Sequence, residues 1–242
     1  AVSKDYGSVH LASNCIGVLR SPDTEVFFKY GNLCRSHAHP DALSICIPPF
    51  AYDLGTSGYG SPYYRGWYAT TLSHSSFTVD GLSQNPQAKG IGTLSEDGTT
   101  LDMSVEDAYE GVSAKRSLRL SGNRLEDRLT VSCAVSRQVD WFFHGAGDFA
   151  CEGELIPDKL PEAMNGYGHL KNVKKARGPF RARYVKEGRS LTLAFDQLPA
   201  GAAVYVAESP DNPADQIRHT VLVRMQGTAV ELSAVFEMGS EA

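Results

Sequence analysis

The 242-residue chain lacks the patterns that would place it in several large protein classes. Its five cysteines include no Cys-x-x-Cys pair, and an odd count without paired spacing speaks against a disulfide framework and a four-cysteine zinc module. Buried free thiols are the expected state. Positive charge is not in excess either. With 23 Lys and Arg against 28 Asp and Glu, the net charge is −5 and the pI is near 5.8. That excludes the broadly basic face demanded by a phosphate backbone, so no nucleic-acid partner is expected. It leaves room for an acidic ligand, which needs only a local group of cations in one cleft. No run reaches the roughly 18 apolar residues of a membrane span, and no membrane partner is expected. Internal repeats, low-complexity tracts and long amphipathic helices are also missing. There is neither an initiator methionine nor a signal peptide, and strand-like sequence begins at once. The chain therefore reads as an excised piece of a longer protein, carrying only part of an active site.

What is present is a succession of short alternating runs bounded by turn residues. Thr24 to Gly31 and Leu43 to Ile47 read as strands, and Ser73 to Gly81 closes on an Asp-Gly turn signal. Hairpins are expected around Asp97-Gly98 and Gly122-Asn123, followed by runs at 137–147, 182–195, 201–209 and 218–238. One short helix-like stretch is expected at Asp158 to Asn165. Hydrophobic residues make up 42% and charged residues 21%, enough for an ordinary globular core. The expected architecture is a single all-β domain over residues 1–242, an antiparallel β-sandwich of many strands. The long loops at 54–63, 82–90 and 158–167 are the places to look for function.

Chemistry concentrates in "SHAHPDALSICIPPFAYDLGT", Ser36 to Thr56. On an extended strand, His37 and His39 would share a face. Asp53 follows a fold-back through Pro48-Pro49, and His74 sits in a third run. Two imidazoles and one carboxylate with an open position make a reasonable zinc site. An isolated His-x-His pair in a β protein can equally be exposed or simply hydrogen-bonded, and spacing alone does not decide between these. Asp41 is expected to orient an imidazole from the same strand. The loop "GYGSPYYRGWY" supplies aromatic faces that stack on sugar rings and a guanidinium that can clamp a carboxylate. Tyr64 and Arg65 are its cleft candidates, and Trp67 is expected in the core. His144 either faces the cleft or satisfies a backbone carbonyl. His10, His169 and His219 have no evident partners in the sequence.

Taken in order, "HAHPD", "FAYDLGT" and "YYRGWYATTLSHSSFTVDGLSQ" resemble the C-terminal β-sheet domain of the heparinase II/III-like polysaccharide lyases. The family pattern is H-G-H-x-D, then D-P-G-T, then an aromatic loop and H-N-T-x-x-V-D-G-x-x-Q. The match runs from about Val26 to Gln84, is weaker afterwards, and looks closest to the oligoalginate lyase branch. The resemblance implies a two-part enzyme in which an N-terminal α-helical toroid supplies a catalytic Tyr and His, and this domain closes the cleft. It places His39, Asp53 and His74 on the positions of a structural zinc, and His37 on the position that faces the substrate. It also implies an acidic polysaccharide or oligosaccharide as substrate, of alginate or heparin type, cleaved by β-elimination. The family favours a periplasmic or secreted location, while unpaired cysteines would suit a reducing cytoplasm. The chain departs from the pattern at Leu54, which replaces the proline, at Ser75-Ser76, which replaces Asn-Thr, and in a shorter hairpin. Two other readings stand beside it: a non-catalytic carbohydrate-binding or scaffold module of the same fold, and a metal-dependent hydrolase using the His/Asp cluster directly.

Overall fold

Alternation of inward apolar and outward residues in Thr24 to Lys29 gives a strand buried on one side, and the same pattern builds most of the domain. The computed structural model describes residues 6–32, 37–161 and 165–241. A small antiparallel sheet is formed, in spatial order, by β1 (Val9–Leu11), β2 (Ile16–Ser21), β3 (Thr24–Lys29) and β4 (Ser44–Cys46). The remaining strands are β5 (Phe77–Val79), β6 (Gly90–Leu94), β7 (Thr100–Val105), β8 (Val112–Ser121), β9 (Arg124–Gly145), β10 (Asp148–Pro157), β11 (Lys171–Lys186), β12 (Arg189–Phe195), β13 (Ala203–Pro210) and β14 (Ile217–Ser240). They make one large sheet in the order β10-β11-β12-β14-β9-β8-β7-β6, with β13 pairing β11 and β14, and β5 pairing β9. Every strand pairing among the described residues is antiparallel, as an all-β sandwich requires.

The hairpins expected at Asp97-Gly98 and Gly122-Asn123 are β6–β7 and β8–β9. At Asp80-Gly81 both residues adopt positive φ, 50° and 67°, the geometry of a tight hairpin turn. The runs on either side of residues 133–137 prove to be one 22-residue strand, β9, rather than two. It pairs along its length with the equally continuous β14, and the register slips between Gly227 and Ala229. That irregularity lets both strands bend while remaining hydrogen-bonded. The helix-like stretch at 158–165 does not appear in residues 158–161, where Pro161 opposes it, and residues 162–164 lie outside the described residues. The helical turns among the described residues are one wide turn at Tyr64–Tyr68 and 3-10 turns at Ala12–Asn14, Thr71–Ser73 and Tyr167–His169.

The two halves of β9 bury themselves differently, and this sets up the site. From Leu125 to Val131 every second residue is buried. From Val139 to Gly145 all are buried, so both faces of the sheet are covered there. Trp141 and Phe143 point into the main core with Val221, Val223 and Phe236. Phe142 points the other way, into a second cluster with Leu222, Tyr205, Trp67, Tyr68 and Leu72. The loop from Leu54 to Leu72 is thus held down by its own aromatic residues, each large buried side chain contributing about 1.5–3 kcal/mol. Trp67 is core, as expected, with its indole N–H donating to the Pro210 carbonyl at 3.0 Å.

Among the described residues, two arginines are fully buried. Arg116 forms a two-pronged pair with Asp127 (Nε to Oδ1 2.8 Å, Nη2 to Oδ2 2.6 Å) and donates from Nη1 to the carbonyls of Leu43 and Ser75. Arg218 donates from Nη1 to the Tyr52 carbonyl at 3.3 Å and from Nη2 to the Ser73 carbonyl at 3.0 Å. Removing one partner of a buried pair strands the other charge, so Asp127→Ala is expected to cost about 3–5 kcal/mol in urea denaturation. The exposed Arg128–Glu231 pair gives the contrast, and Glu231→Ala should cost less than about 1 kcal/mol.

Candidate metal centre and substrate cleft

His39, Asp53 and His74 come together as the sequence suggests. Each offers a ligand atom, and these atoms lie within 4.8 Å of one another. The route differs from a row of strands, however. Residues 37–40 form no strand, so His37 and His39 do not share a strand face, and His37 lies in the left-handed region at φ 61°. That conformation is uncommon for a residue with a side chain and is held by its surroundings. His74 lies in extended backbone between the 3-10 turn Thr71–Ser73 and β5, not within a strand. Asp53 lies two residues beyond the Ile47–Ala51 bridge that closes the turn through Pro48-Pro49.

Local hydrogen bonds explain why these segments sit where they do. Thr71 Oγ1 donates to the Pro40 carbonyl (2.6 Å) and Ser76 Oγ to the Ala42 carbonyl (2.7 Å), stitching the His74 segment to the one after His39. Gln84 adds a second donor to the Ala42 carbonyl at 3.2 Å. Ser75, in place of the family's asparagine, accepts the His144 backbone N–H on its hydroxyl at 3.1 Å. The Asp53 carboxylate accepts the Gly55 N–H at 2.6 Å, and Gly55 supplies the positive φ (56°) that this tight turn needs. Leu54, where the family has proline, packs in the second cluster and anchors the turn by burial.

The electrostatics suit a cation. His74 is buried, with Nδ1 3.4 Å from the Asp53 carboxylate, whose side chain is 47% exposed. Burial opposes the charged forms of both groups, but their hydrogen bond and mutual attraction win. The Asp53 pKa is lowered and that of His74 raised. Burial and the neighbouring His74 push His39 down. His74 Nε2 is buried and has no hydrogen-bond partner among the described residues, a costly state for a ring nitrogen. Convergent imidazole and carboxylate donors, with one ligand open to solvent, fit zinc held by three protein ligands and a fourth position left free.

Beside this centre is a cleft of about 270 Å³ whose walls include Lys29, His37, Asp41, Tyr59 and Tyr64. The Tyr59 hydroxyl and His37 Nδ1 are hydrogen-bonded, and Tyr64 packs edge-on against Tyr59 at 4.9 Å. Arg65 is exposed on the same turn and is not part of the cleft lining. Asp41 does not orient an imidazole by hydrogen bond. It is buried and accepts from Lys29 Nζ (2.8 Å) and Asn32 Nδ2 (3.2 Å). Neither Lys29 nor the Tyr59–His37 contact was legible in the sequence. Lys29 meets Asp41 because β3 pairs with β4, a long-range register that the sequence does not announce. His144 is structural. It is fully buried between Thr220 Oγ1 (2.8 Å) and the Leu72 carbonyl (2.5 Å). His10 meets the Tyr30 hydroxyl at 2.8 Å, His169 packs against Tyr63 and Trp67, and His219 stacks on Phe149. The described cysteines, Cys15, Cys46, Cys133 and Cys151, are all free, and Cys34 lies outside the described residues.

The fold is an antiparallel β-sandwich that carries a His/His/Asp group beside an aromatic-walled cleft. The chain matches the model of the "Heparinase II/III-like, C-terminal" family over residues 8–197 and belongs to that family. Among solved structures it superposes on a heparinase III gene product with TM-score 0.73 at 15% identity, covering 98% of this chain and 37% of that one. The heparan sulfate lyase HepC from Pedobacter heparinus gives TM-score 0.68 at 15% identity, with 98% and 37% covered. A further heparinase III gives 0.64 at 12% identity, with 95% and 36% covered. This chain therefore spans little more than a third of the length of those enzymes. A sequence search of curated proteins finds no match.

Two measurements check the site. Protein stripped with chelator and dialysed should take up one zinc per chain by elemental analysis, with a rise in melting temperature, and His39→Ala or His74→Ala should abolish both. His144 gives a pH dependence. Burial holds its pKa well below the ordinary value of about 6.5, so the unfolded chain gains the proton first as pH falls. Its contribution is complete above about pH 6.5 and is lost on acidification below that, by up to about 1.4 kcal/mol per pH unit. His144→Gln should flatten the stability–pH curve in that window.

Proposed function

We propose that this chain is the C-terminal part of a polysaccharide lyase that cleaves uronate-containing glycans by β-elimination. The observation that carries this reading is the state of the cleft's carboxylates. Asp41 is buried and paired with Lys29, and Asp53 belongs to the His39/His74 centre. Among the described residues, the cleft thus lacks the pair of uncommitted carboxylates that a typical glycoside hydrolase uses. It does present an imidazole, His37, held by a phenol beside aromatic faces.

In β-elimination a base removes the proton at C5, next to the uronate carboxylate. The C4–O bond breaks, its electron pair leaves with the oxygen, an acid protonates that oxygen, and a C4–C5 double bond remains. The carboxylate must be neutralised or hydrogen-bonded first, or the intermediate would carry two negative charges. His37 would donate to it or act as the base. Tyr64 offers a ring face to a sugar, and Arg65, outside the lining, can reach the carboxylate of a longer chain. Further catalytic groups come from the preceding helical domain that the family resemblance implies. His39, Asp53 and His74 would hold a structural zinc, and their common anchoring would fix the His39 segment, and so His37 two residues earlier, beside the cleft. Alginate and heparan sulfate both meet these requirements.

Two outcomes test the reading on full-length protein. Digestion of alginate or heparan sulfate should yield products with the far-ultraviolet absorbance of an unsaturated uronate. Saturated reducing sugars alone would overturn it, and binding without turnover would make the domain a carbohydrate-binding module. His37→Ala should lower turnover while leaving the melting temperature within about 1 °C, since exposed positions rarely cost more than about 0.5 kcal/mol. His39→Ala should lower both.

A further inference from the structure

A chain with 28 acidic against 23 basic residues must gather its positive charge locally if it is to hold an acidic ligand. Among the described residues, Lys29 is the only lysine or arginine on the cleft wall, which it shares with His37, Tyr59 and Tyr64. It ends β3, where register sets it between Ile16 of β2 and Ser44 of β4, both uncharged. Its Nζ donates to Asp41 Oδ2 at 2.8 Å, and Asn32 Nδ2 donates to the other carboxylate oxygen at 3.2 Å. The pair is lopsided. The Asp41 side chain is 1% exposed and that of Lys29 29%, so the anion lies on the core side and the ammonium at the surface. An ammonium has three N–H donors, and Asp41 takes one. Among the described residues Nζ makes no other hydrogen bond. On its other flank Lys29 borders an apolar groove of about 300 Å³ whose walls include Leu11, Ile16 and Phe27. A hydrated anion gains nothing there, which leaves the cleft as its side of approach.

We infer that Lys29 receives a uronate carboxylate of the glycan and so sets the cleft's preference for acidic over neutral sugars. The inference rests on reading the cleft as a site for uronate-containing glycans, and it adds a specificity-determining residue to that reading. A lysine free in solvent loses rotamer freedom when it takes up a ligand. Asp41 has already fixed this one, so little freedom remains to be lost on binding. Nor does Asp41 cancel the charge. A carboxylate entering from the cleft meets the ammonium at hydrogen-bond distance and Asp41 only behind it, so attraction at the shorter distance outweighs repulsion at the longer. An ammonium–carboxylate hydrogen bond is about twice as strong as one between neutral groups, and a sugar without the carboxylate offers only the weaker kind. The rival role for Lys29 is purely structural, the neutralising of buried Asp41.

Calorimetric titration of the full-length protein separates the two roles. The ligands are alginate and heparan sulfate disaccharides and the same disaccharides reduced at the carboxyl. Lys29→Met/Asp41→Asn removes both charges without stranding either, Asp41→Asn keeps the ammonium without its anion, and Lys29→Arg keeps a cation. The wild type should prefer an acidic disaccharide to its reduced form. The double variant should lose about tenfold or more in affinity for the acidic ligand and nothing for the reduced one. Asp41→Asn should bind the acidic ligand at least as tightly as the wild type, and Lys29→Arg should retain most of the affinity. Equal affinity of the double variant and the wild type for the acidic ligand would overturn the inference. So would a wild type without preference for the acidic form, or a loss in Asp41→Asn as large as in the double variant, since the pair would then be structural. Ultraviolet absorbance of the products is read separately. Lys29-dependent binding without an unsaturated product would overturn the lyase reading and leave this inference standing, and an unsaturated product with binding indifferent to Lys29 would do the reverse.

Discussion

Two buried guanidinium groups fix the geometry on which the site depends. Arg218 grips the carbonyls of Tyr52 and Ser73, the residues immediately before Asp53 and His74. Arg116 grips the carbonyls of Leu43 and Ser75, the second of which immediately follows His74. The Ser75 carbonyl also accepts the Ile45 N–H at 3.2 Å, and leaving a buried carbonyl bare costs about 1–3 kcal/mol. A planar group with five donors can satisfy several such carbonyls at once and fix their relative positions. Arg116 offsets its own burial through Asp127. For Arg218, burial pushes the pKa down while the more distant Asp211 pushes back, and the Tyr52 ring lies 5.9 Å from its guanidinium carbon. The ligand segments are thus organised before any cation arrives.

This organisation explains why an irregular backbone can hold a defined centre. His39, Asp53 and His74 all lie outside the named strands. Sheets normally position side chains through their ladders, but here the ladders position two arginines and a set of apolar side chains, and these position the loops. Burial of Trp67, Tyr68 and Leu72 against Phe142 and Leu222 gives the long loop a floor. The same covering explains the uninterrupted burial of Val139 to Gly145, which one-sided alternation could not produce.

The fold class was legible because it is written in period-two alternation and turn pairs such as Asp97-Gly98, which act over a few residues. The ligand set was legible because imidazoles and carboxylates in a known order resemble a family pattern. What stayed hidden depends on long-range register. Nothing near Arg116 announces that it reaches Ser75, because β8 meets that segment only through the packing of the two sheets. The sequence separates a run ending at Ala134 from one beginning at Arg137, because the residues there are largely exposed and apolar alternation lapses. Pairing to β14 kept the strand whole. His37 and His39 looked like strand neighbours because an H-x-H spacing matches a period of two. Pro40, immediately after His39, has no N–H to give to a ladder, and His37 turns left-handed instead.

The exposure of Asp53 shows how site and surface are joined. A carboxylate committed to a buried histidine would be expected under cover, yet its side chain is 47% exposed and borders both the cleft and the apolar groove. Were it fully enclosed, the desolvation of the ion pair would have to be met within this domain alone. Left at the rim, it pairs with His74 at modest cost, and whatever covers the groove and the cleft strengthens that attraction by excluding water.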